Sequence, residues 1–246
     1  MIHLAYIETA RDPLLNRSSG PLDRAWMKGG PEWAYSDWYT VEAETNDPVA
    51  RATDSGLRSD AGRTMGLMLQ RVLEDRFQLK IHRGTEDAPM YSLTVAKGGL
   101  KMKPMESGGC IPREPGAGIR TDEMFPPGKT PLCVNWTHMN APDWAIDGAG
   151  QSLSQLAAAL SNTLSTHVFD KTGVGDLFTY HLVFAHDETT PGDFPPEMLS
   201  RWFPPSDVPS GPSVFAVLDR LGLKLEPVKG PRQYVVIDRV EHPSEN

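Results

Sequence analysis

Two stretches limit what this chain can fold into more than any other feature: "RFQLKIHRGTEDAPMYSLTVAKGG" at residues 76–99 and "RLGLKLEPVKGPRQYVVIDRV" at 220–240. Each follows an amphipathic helical segment and opens on Leu-Lys. In the first, Leu79 and Ile81 alternate with Lys80 and His82, a polar stretch intervenes, and Met90–Ala96 reads as a return strand. In the second, Leu223 and Leu225 lead to a turn at Lys229-Gly230-Pro231 and a strand at Tyr234–Val240. Alternation on either side of turn residues predicts a hairpin in each place.

The helices before them carry 3.6-residue periodicity. In "GRTMGLMLQRVLEDRFQ", Met65, Met68, Leu69, Val72 and Leu73 share a stripe opposite Gln70, Arg71, Glu74 and Asp75. "GPSVFAVLDRLG" places Pro212 at a helix start and Gly222 at a left-handed C-cap. In "SLSQLAAALSNTLS", Ser152 and Gln155 have the spacing of a capping box, and Leu153, Leu156, Leu160 and Leu164 form the face to be buried. The first ten residues also read as a helix through Ile2, Leu4, Ala5 and Ile7. It precedes a strand at Trp38–Glu44, as the 152–164 helix precedes one at Phe178–Phe184.

Each half therefore runs helix, turn, strand, helix, hairpin. The expected fold is α+β: two tandem repeats with antiparallel or mixed sheets, residues 1–105 and 145–246, joined by a long Pro/Gly-rich loop over 106–144. A candidate strand at Ala145–Gly148 opens the second half. The first begins at Met1 already in a helix, so an opening strand and a secretion signal are expected upstream.

The 24 basic and 32 acidic side chains leave a net charge of −8, which argues against binding nucleic acid through its phosphates. No apolar run reaches the ~18–20 residues that span a bilayer. "MIHLAYIETARDPLL" lacks the basic and long apolar regions of a signal peptide. The only two cysteines, Cys110 and Cys133, lie in "GGCIPREPGAGIRTDEMFPPGKTPLCVNW". A disulfide closing about 20 residues there contributes roughly 3 kcal/mol by restricting the unfolded chain. Two free thiols, as in a reducing compartment, are the alternative.

Several motifs are weighed and set aside. Asp170-Lys171-Thr172-Gly173 matches the phosphorylated aspartate of cation pumps, but Val174-Gly175-Asp176 follows and the Mg²⁺ loop is missing. A turn accounts for it better: Asp170 accepts backbone N–H bonds, and Gly173 and Gly175 supply positive φ. "PPGKTP" has Glu123 where a phosphate loop needs glycine, and Pro131 where it needs a helix. His181 and His186 fall on opposite faces of a strand, so no metal or cofactor is expected. Glu86-Asp87 and Asp187-Glu188 read as solvated carboxylates in turns. Trp26, Trp33, Tyr35, Trp38 and Tyr39 crowd into fourteen residues, and "FPPEMLSRWFPPSDVP" adds Phe194, Trp202 and Phe203. These aromatics form either a platform for carbohydrate or peptide, or packing between the halves.

With "GGPEWAYSDWYTVEAE", "MLQRVLEDRFQLKIHRGTEDAPMYSLTVAKGGLKMKP", "VFDKTGVGDLFTYHLVF" and "LGLKLEPVKGPRQYVVIDRVEHPSEN" in view, the chain resembles a bacterial family of unknown function expanded in soil bacteria. The resemblance covers nearly the whole chain. It implies an N-terminal export signal, a periplasmic or secreted location, and a sensing or interaction role. Some members are fused to membrane-embedded sensor metallopeptidases of the antibiotic-sensing type. It implies no catalytic residue.

The expected function is a non-enzymatic, extracytoplasmic binding or sensory module with a protein or peptide partner. Its candidate surface is Trp33, Trp38, Asp170, Lys171, Thr172, Trp202 and Phe203. The alternative is a hydrolase acting on a cell-wall or plant-derived polymer, with a site between the halves.

Overall fold

The computed structural model describes residues 2, 5–6, 27–37, 39–40, 60–113, 121–140, 143–164, 166–185, 190 and 210–243. Its strands are β1 (Met27–Gly29), β2 (Lys80–Val95), β3 (Asn135–Asn140), β4 (Asp143–Gln151), β5 (Val168–Asp170), β6 (Phe178–Ala185) and β7 (Leu223–Arg239). Its helices are α1 (Trp33–Ser36), α2 (Asp60–Arg76), α3 (Thr121–Met124), α4 (Leu153–Thr163) and α5 (Val214–Arg220). The strands make a four-stranded sheet in the order β1-β7-β2-β5 and a three-stranded sheet in the order β3-β4-β6. The protein is thus α+β, with mixed and antiparallel sheets.

Contacts divide the chain into two compact units, residues 1–88 with 230–246, and residues 89–229. Each has its own apolar cluster. In the 89–229 unit, Leu153, Leu156 and Leu160 of α4 and the following Leu164 are wholly buried with Leu93, Ile146, Phe178, Leu182 and Phe184. These leucines are the predicted stripe. The capping box forms as its spacing predicts: Ser152 Oγ accepts from the Gln155 N–H, and Gln155 Oε1 accepts from the Ser152 N–H at 2.8 Å. In the other unit, Leu73 and Phe77 at the end of α2 pack with Ala5, Leu79, Val235 and Ile237. Ile2, Ala5 and Tyr6 are helical and buried; the other apolar positions of the expected N-terminal helix, Leu4 and Ile7, lie outside the described residues.

Neither expected hairpin forms. β2 and β7 are single strands of 16 and 17 residues. The polar stretches taken for turns are extended backbone. In β7, buried Leu223 and Leu225 lie at one end, buried Val235 and Ile237 at the other, and the exposed residues between them include Lys229 and Pro231. A strand with a solvated middle and two buried ends carries the same polarity pattern as two short strands around a turn, because both interrupt burial with Gly, Pro and charge. One buried end of each long strand finds a short parallel partner. Met27↔Val235 to Gly29↔Ile237 joins β1 to β7, and Tyr91↔Val168 to Leu93↔Asp170 joins β2 to β5.

Other expectations are extended or corrected. The Ala145–Gly148 strand is the middle of β4, which pairs antiparallel with β6 and with β3. β3 lies inside the expected 106–144 loop, where "NWTHMN" is too short a run to announce itself. Pro212 precedes the N-cap of α5 rather than starting its first turn; the cap is Ser213, whose side chain accepts from the Ala216 N–H. The expected strand at Trp38–Glu44 lies outside the described residues, apart from Tyr39 and Thr40.

Gly222 ends α5 with φ at +75°, the left-handed value expected of it. A Cβ there would sit 2.1 Å from the Gly99 carbonyl oxygen, which is backbone and cannot swing aside. Gly222→Ala is therefore expected to destabilise the protein by about 2 kcal/mol or more. Gly175→Ala, at a glycine with ordinary φ and open space around it, is expected to change little. Urea midpoints at unchanged slope measure both.

Candidate functional site

A pocket in the 1–88/230–246 unit is built by a short chain of local necessities. β1 is held by its three parallel pairs to β7, and the chain must then turn away at once. Gly29 and Gly30 both take φ of +72°, and a side chain on either would press on Ile237. Pro31 follows, and α1 forms over Trp33–Ser36. The Tyr35 hydroxyl donates back to the Gly29 carbonyl at 2.7 Å, and the Asp37 N–H to the Trp33 carbonyl. The turn presents Trp33, Ala34, Asp37 and Tyr39 on one side of a pocket of about 250 Å³, whose remaining wall is Ile2, Leu73, Phe77 and Val240.

The aromatics are held in place. The Glu241 N–H donates to the Phe77 carbonyl at 2.7 Å, which brings in the segment after β7. His242 then stacks on Trp33 with ring centroids 3.9 Å apart, and its Nδ1 shares a hydrogen bond with the Tyr39 hydroxyl at 3.0 Å. Tyr39 meets Phe77 edge to face at 5.1 Å. Among the lining residues, Asp37 carries the only formal charge. The sequence pointed to this aromatic cluster through Trp33 and Tyr39, but gave no sign of His242, some two hundred positions away. Asp37 has no signal of its own beyond lying among the aromatics.

The rest of the expected surface is distributed differently. Asp170, Lys171 and Thr172 belong to the 89–229 unit. Asp170 Oδ1 accepts from the Thr172 N–H at 2.9 Å and its hydroxyl at 2.7 Å, while Oδ2 accepts from the Ser154 hydroxyl at 2.6 Å. Burial would raise the Asp170 pKa, but these hydrogen bonds outweigh it and hold the carboxyl below its ordinary value. The carboxylate is committed to the turn and to the first turn of α4. Gly173 has φ of +70° as expected; Gly175 does not enter the left-handed region. Trp38, Trp202 and Phe203 lie outside the described residues.

The three-stranded sheet carries a second grouping that local sequence patterns did not reveal. Trp136, Asp147 and His181 lie opposite one another across β3, β4 and β6. His138 Nε2 donates to Asp147 Oδ2 at 2.9 Å and His181 Nδ1 to Oδ1 at 2.6 Å. Trp136 stacks on His138 with centroids 3.8 Å apart. Strand alternation along "NWTHMN" could have put Trp136 and His138 on one face, but the pairing to Asp147 and His181 is tertiary. Asp147 fixes the tautomers, and Nε2 of the exposed His181 is the nitrogen that does not bond to it. Among the described residues, neither imidazole bonds to a serine, threonine or cysteine side chain. Nor do His, Cys, Asp and Glu there form a group of three or more suited to a metal.

Glu86 corrects another expectation. It is in β2, not in a turn, and is paired with Lys28 and with Arg232, whose Nη2 lies 2.6 Å from Oε1. Lys28 Nζ also sits 4.1 Å from the centre of the Tyr234 ring.

A family model described as "Protein of unknown function (DUF3738)" matches residues 21–240, and the chain belongs to that family. No curated protein matches the chain, and no solved structure does.

The hydrogen bonds from Lys28 and then Arg232 hold the Glu86 carboxyl below its usual range. A carboxyl depressed on folding stabilises the protein above its unfolded pKa and loses that contribution as pH falls through the folded value. Glu86→Gln should therefore cost roughly 0.5–1 kcal/mol near pH 7. Melting curves of the two proteins should converge as pH falls below about 4.

Proposed function

We propose that the protein is a non-enzymatic binding or sensory module that works outside the cytoplasm and takes its ligand or partner's contact group in the Trp33 pocket. The pocket is the observation that carries this reading: three aromatic and four aliphatic residues line it, with a single carboxylate among the described lining residues. The location rests on chemistry and on resemblance. Cys110 and Cys133 are joined in a disulfide, with Cα atoms 5.0 Å apart, and such bonds persist in oxidising compartments. No helix among the described residues is long and apolar enough to cross a membrane. The likeness to a soil-associated family, some of whose members are fused to membrane-embedded sensors, supports a sensing role for a protein or peptide partner.

The two-repeat organisation, residues 1–105 and 145–246, belongs to the same proposal. Its support is a matched pairing. Met27 and Val168 open the two short strands 141 positions apart, and their partners Val235 and Tyr91 are 144 apart. α2 and α5 each end three positions before Leu79 and Leu223 respectively. Two copies of one unit, each lending the end of its long strand as the partner of the other copy's short strand, account for both spacings.

One observation favours the rival hydrolase. His181, held by Asp147, has the arrangement of a general base. The readings separate in one comparison of the wild type with Ala34→Phe, which fills the pocket, and His181→Ala. Ligand-observed NMR over a fragment set should give hits that Ala34→Phe abolishes and His181→Ala leaves intact. Turnover of a cell-wall or plant polysaccharide that His181→Ala abolishes would replace binding with catalysis.

A further inference from the structure

We propose that the group the Trp33 pocket takes is a quaternary ammonium, a small organic cation whose charge is covered by methyl groups. The inference rests on the binding reading above and deepens it. The pocket's about 250 Å³ lies below the ~300–1,000 Å³ of pockets that enclose drug-sized ligands, so it suits a small molecule or a head group. Its wall combines the rings of Trp33, Tyr39 and Phe77 with aliphatic side chains, and among the described lining residues the one formal charge is the Asp37 carboxylate. Aromatic rings attract cations through the negative potential of their faces, and an anionic lining group adds to that attraction.

The hydrogen-bonding capacity decides which cation fits. A primary ammonium or a guanidinium brings several N–H donors, each costly to bury without an acceptor. The aromatic and aliphatic lining side chains supply few acceptors. The Tyr39 hydroxyl is already bonded to His242 and the Asp37 Oδ1 accepts from the Ser36 hydroxyl, so the lining side chains meet three to five N–H donors mainly with Asp37 Oδ2, which is too few. A quaternary ammonium has no donors to satisfy. Its methyl surface matches the apolar wall while its charge answers the rings and Asp37. A neutral ligand of the same shape would meet the same wall and forgo both electrostatic contributions.

The test is a calorimetric and tryptophan-fluorescence titration of the full chain with choline and with its neutral isostere 3,3-dimethylbutan-1-ol. Wild-type protein should bind choline about tenfold more tightly than the alcohol, with affinity falling as salt rises. Asp37→Asn, at an exposed position, should weaken choline by roughly three- to tenfold and leave the alcohol unchanged. Trp33→Ala should abolish choline binding, and Trp33→Phe, which keeps an aromatic face, should restore part of it. Equal affinity for the two probes, or no effect of Asp37→Asn, would overturn the cation assignment and leave the binding pocket standing. Failure of both probes, with a fragment screen equally blind to Ala34→Phe, would overturn the pocket reading and this inference together.

Discussion

The constraint on which the rest of the structure depends is that each of two long strands buries both of its ends in different cores. β7 starts among Leu218 and Leu223 of the 89–229 unit and finishes with Val235 and Ile237 in the other. β2 runs the opposite way, from Leu79 just before it to Leu93. Neither residues 80–87 of β2 nor residues 226–234 of β7 include a buried side chain, so burial alone does not keep these stretches extended. What does is that a turn there would strand an apolar end without its short parallel partner, Val235 without β1 or Leu93 without β5. Burying such a side chain contributes about 1.5–3 kcal/mol, more than a turn in a polar stretch gains.

This explains why so much of the local structure was legible and the connectivity was not. α4, with its cap and its leucine face, is specified by residues within one turn of each other, as is the left-handed end of α5 at Gly222. The Asp170 turn is equally local: its hydrogen bonds to Thr172 span two positions. The long strands are different. Their turn-like chemistry at Lys229-Gly230-Pro231 is overruled by pairings that span the chain, such as Met27 with Val235. Alternation says which residues face a core; it does not say which core.

The candidate site divides along the same line. Trp33 and Tyr39 stood out as part of an aromatic run, and the two glycines before them mark the turn that presents them. The remaining wall comes from the end of α2, from Ile2 and from the segment after β7, elements that the sequence separates by most of its length. His242 and Phe77 have no motif. They become partners of Trp33 and Tyr39 because the last turn of α2 and the end of β7 are fastened together by the bond from the Glu241 N–H to the Phe77 carbonyl. The Asp147 pairings of His138 and His181 were equally hidden, since cross-strand partners nine and thirty-four positions apart carry no spacing signature.

The two groupings differ in what their surroundings permit. Asp147 spends both oxygens on imidazoles, so its charge serves to orient two rings on a sheet surface where Trp136 covers one of them. An imidazole held by a carboxylate is the arrangement of a general base, and catalysis further requires a substrate fixed beside it. The Trp33 pocket has the reverse balance. It offers shape, aromatic rings and one carboxylate, and the imidazole beside it, His242, has its ring face against Trp33 and its Nδ1 on Tyr39. A carboxylate among rings and aliphatic side chains attracts cations, so the pocket supports the proposed binding role, while the Asp147 pairings support the rival one.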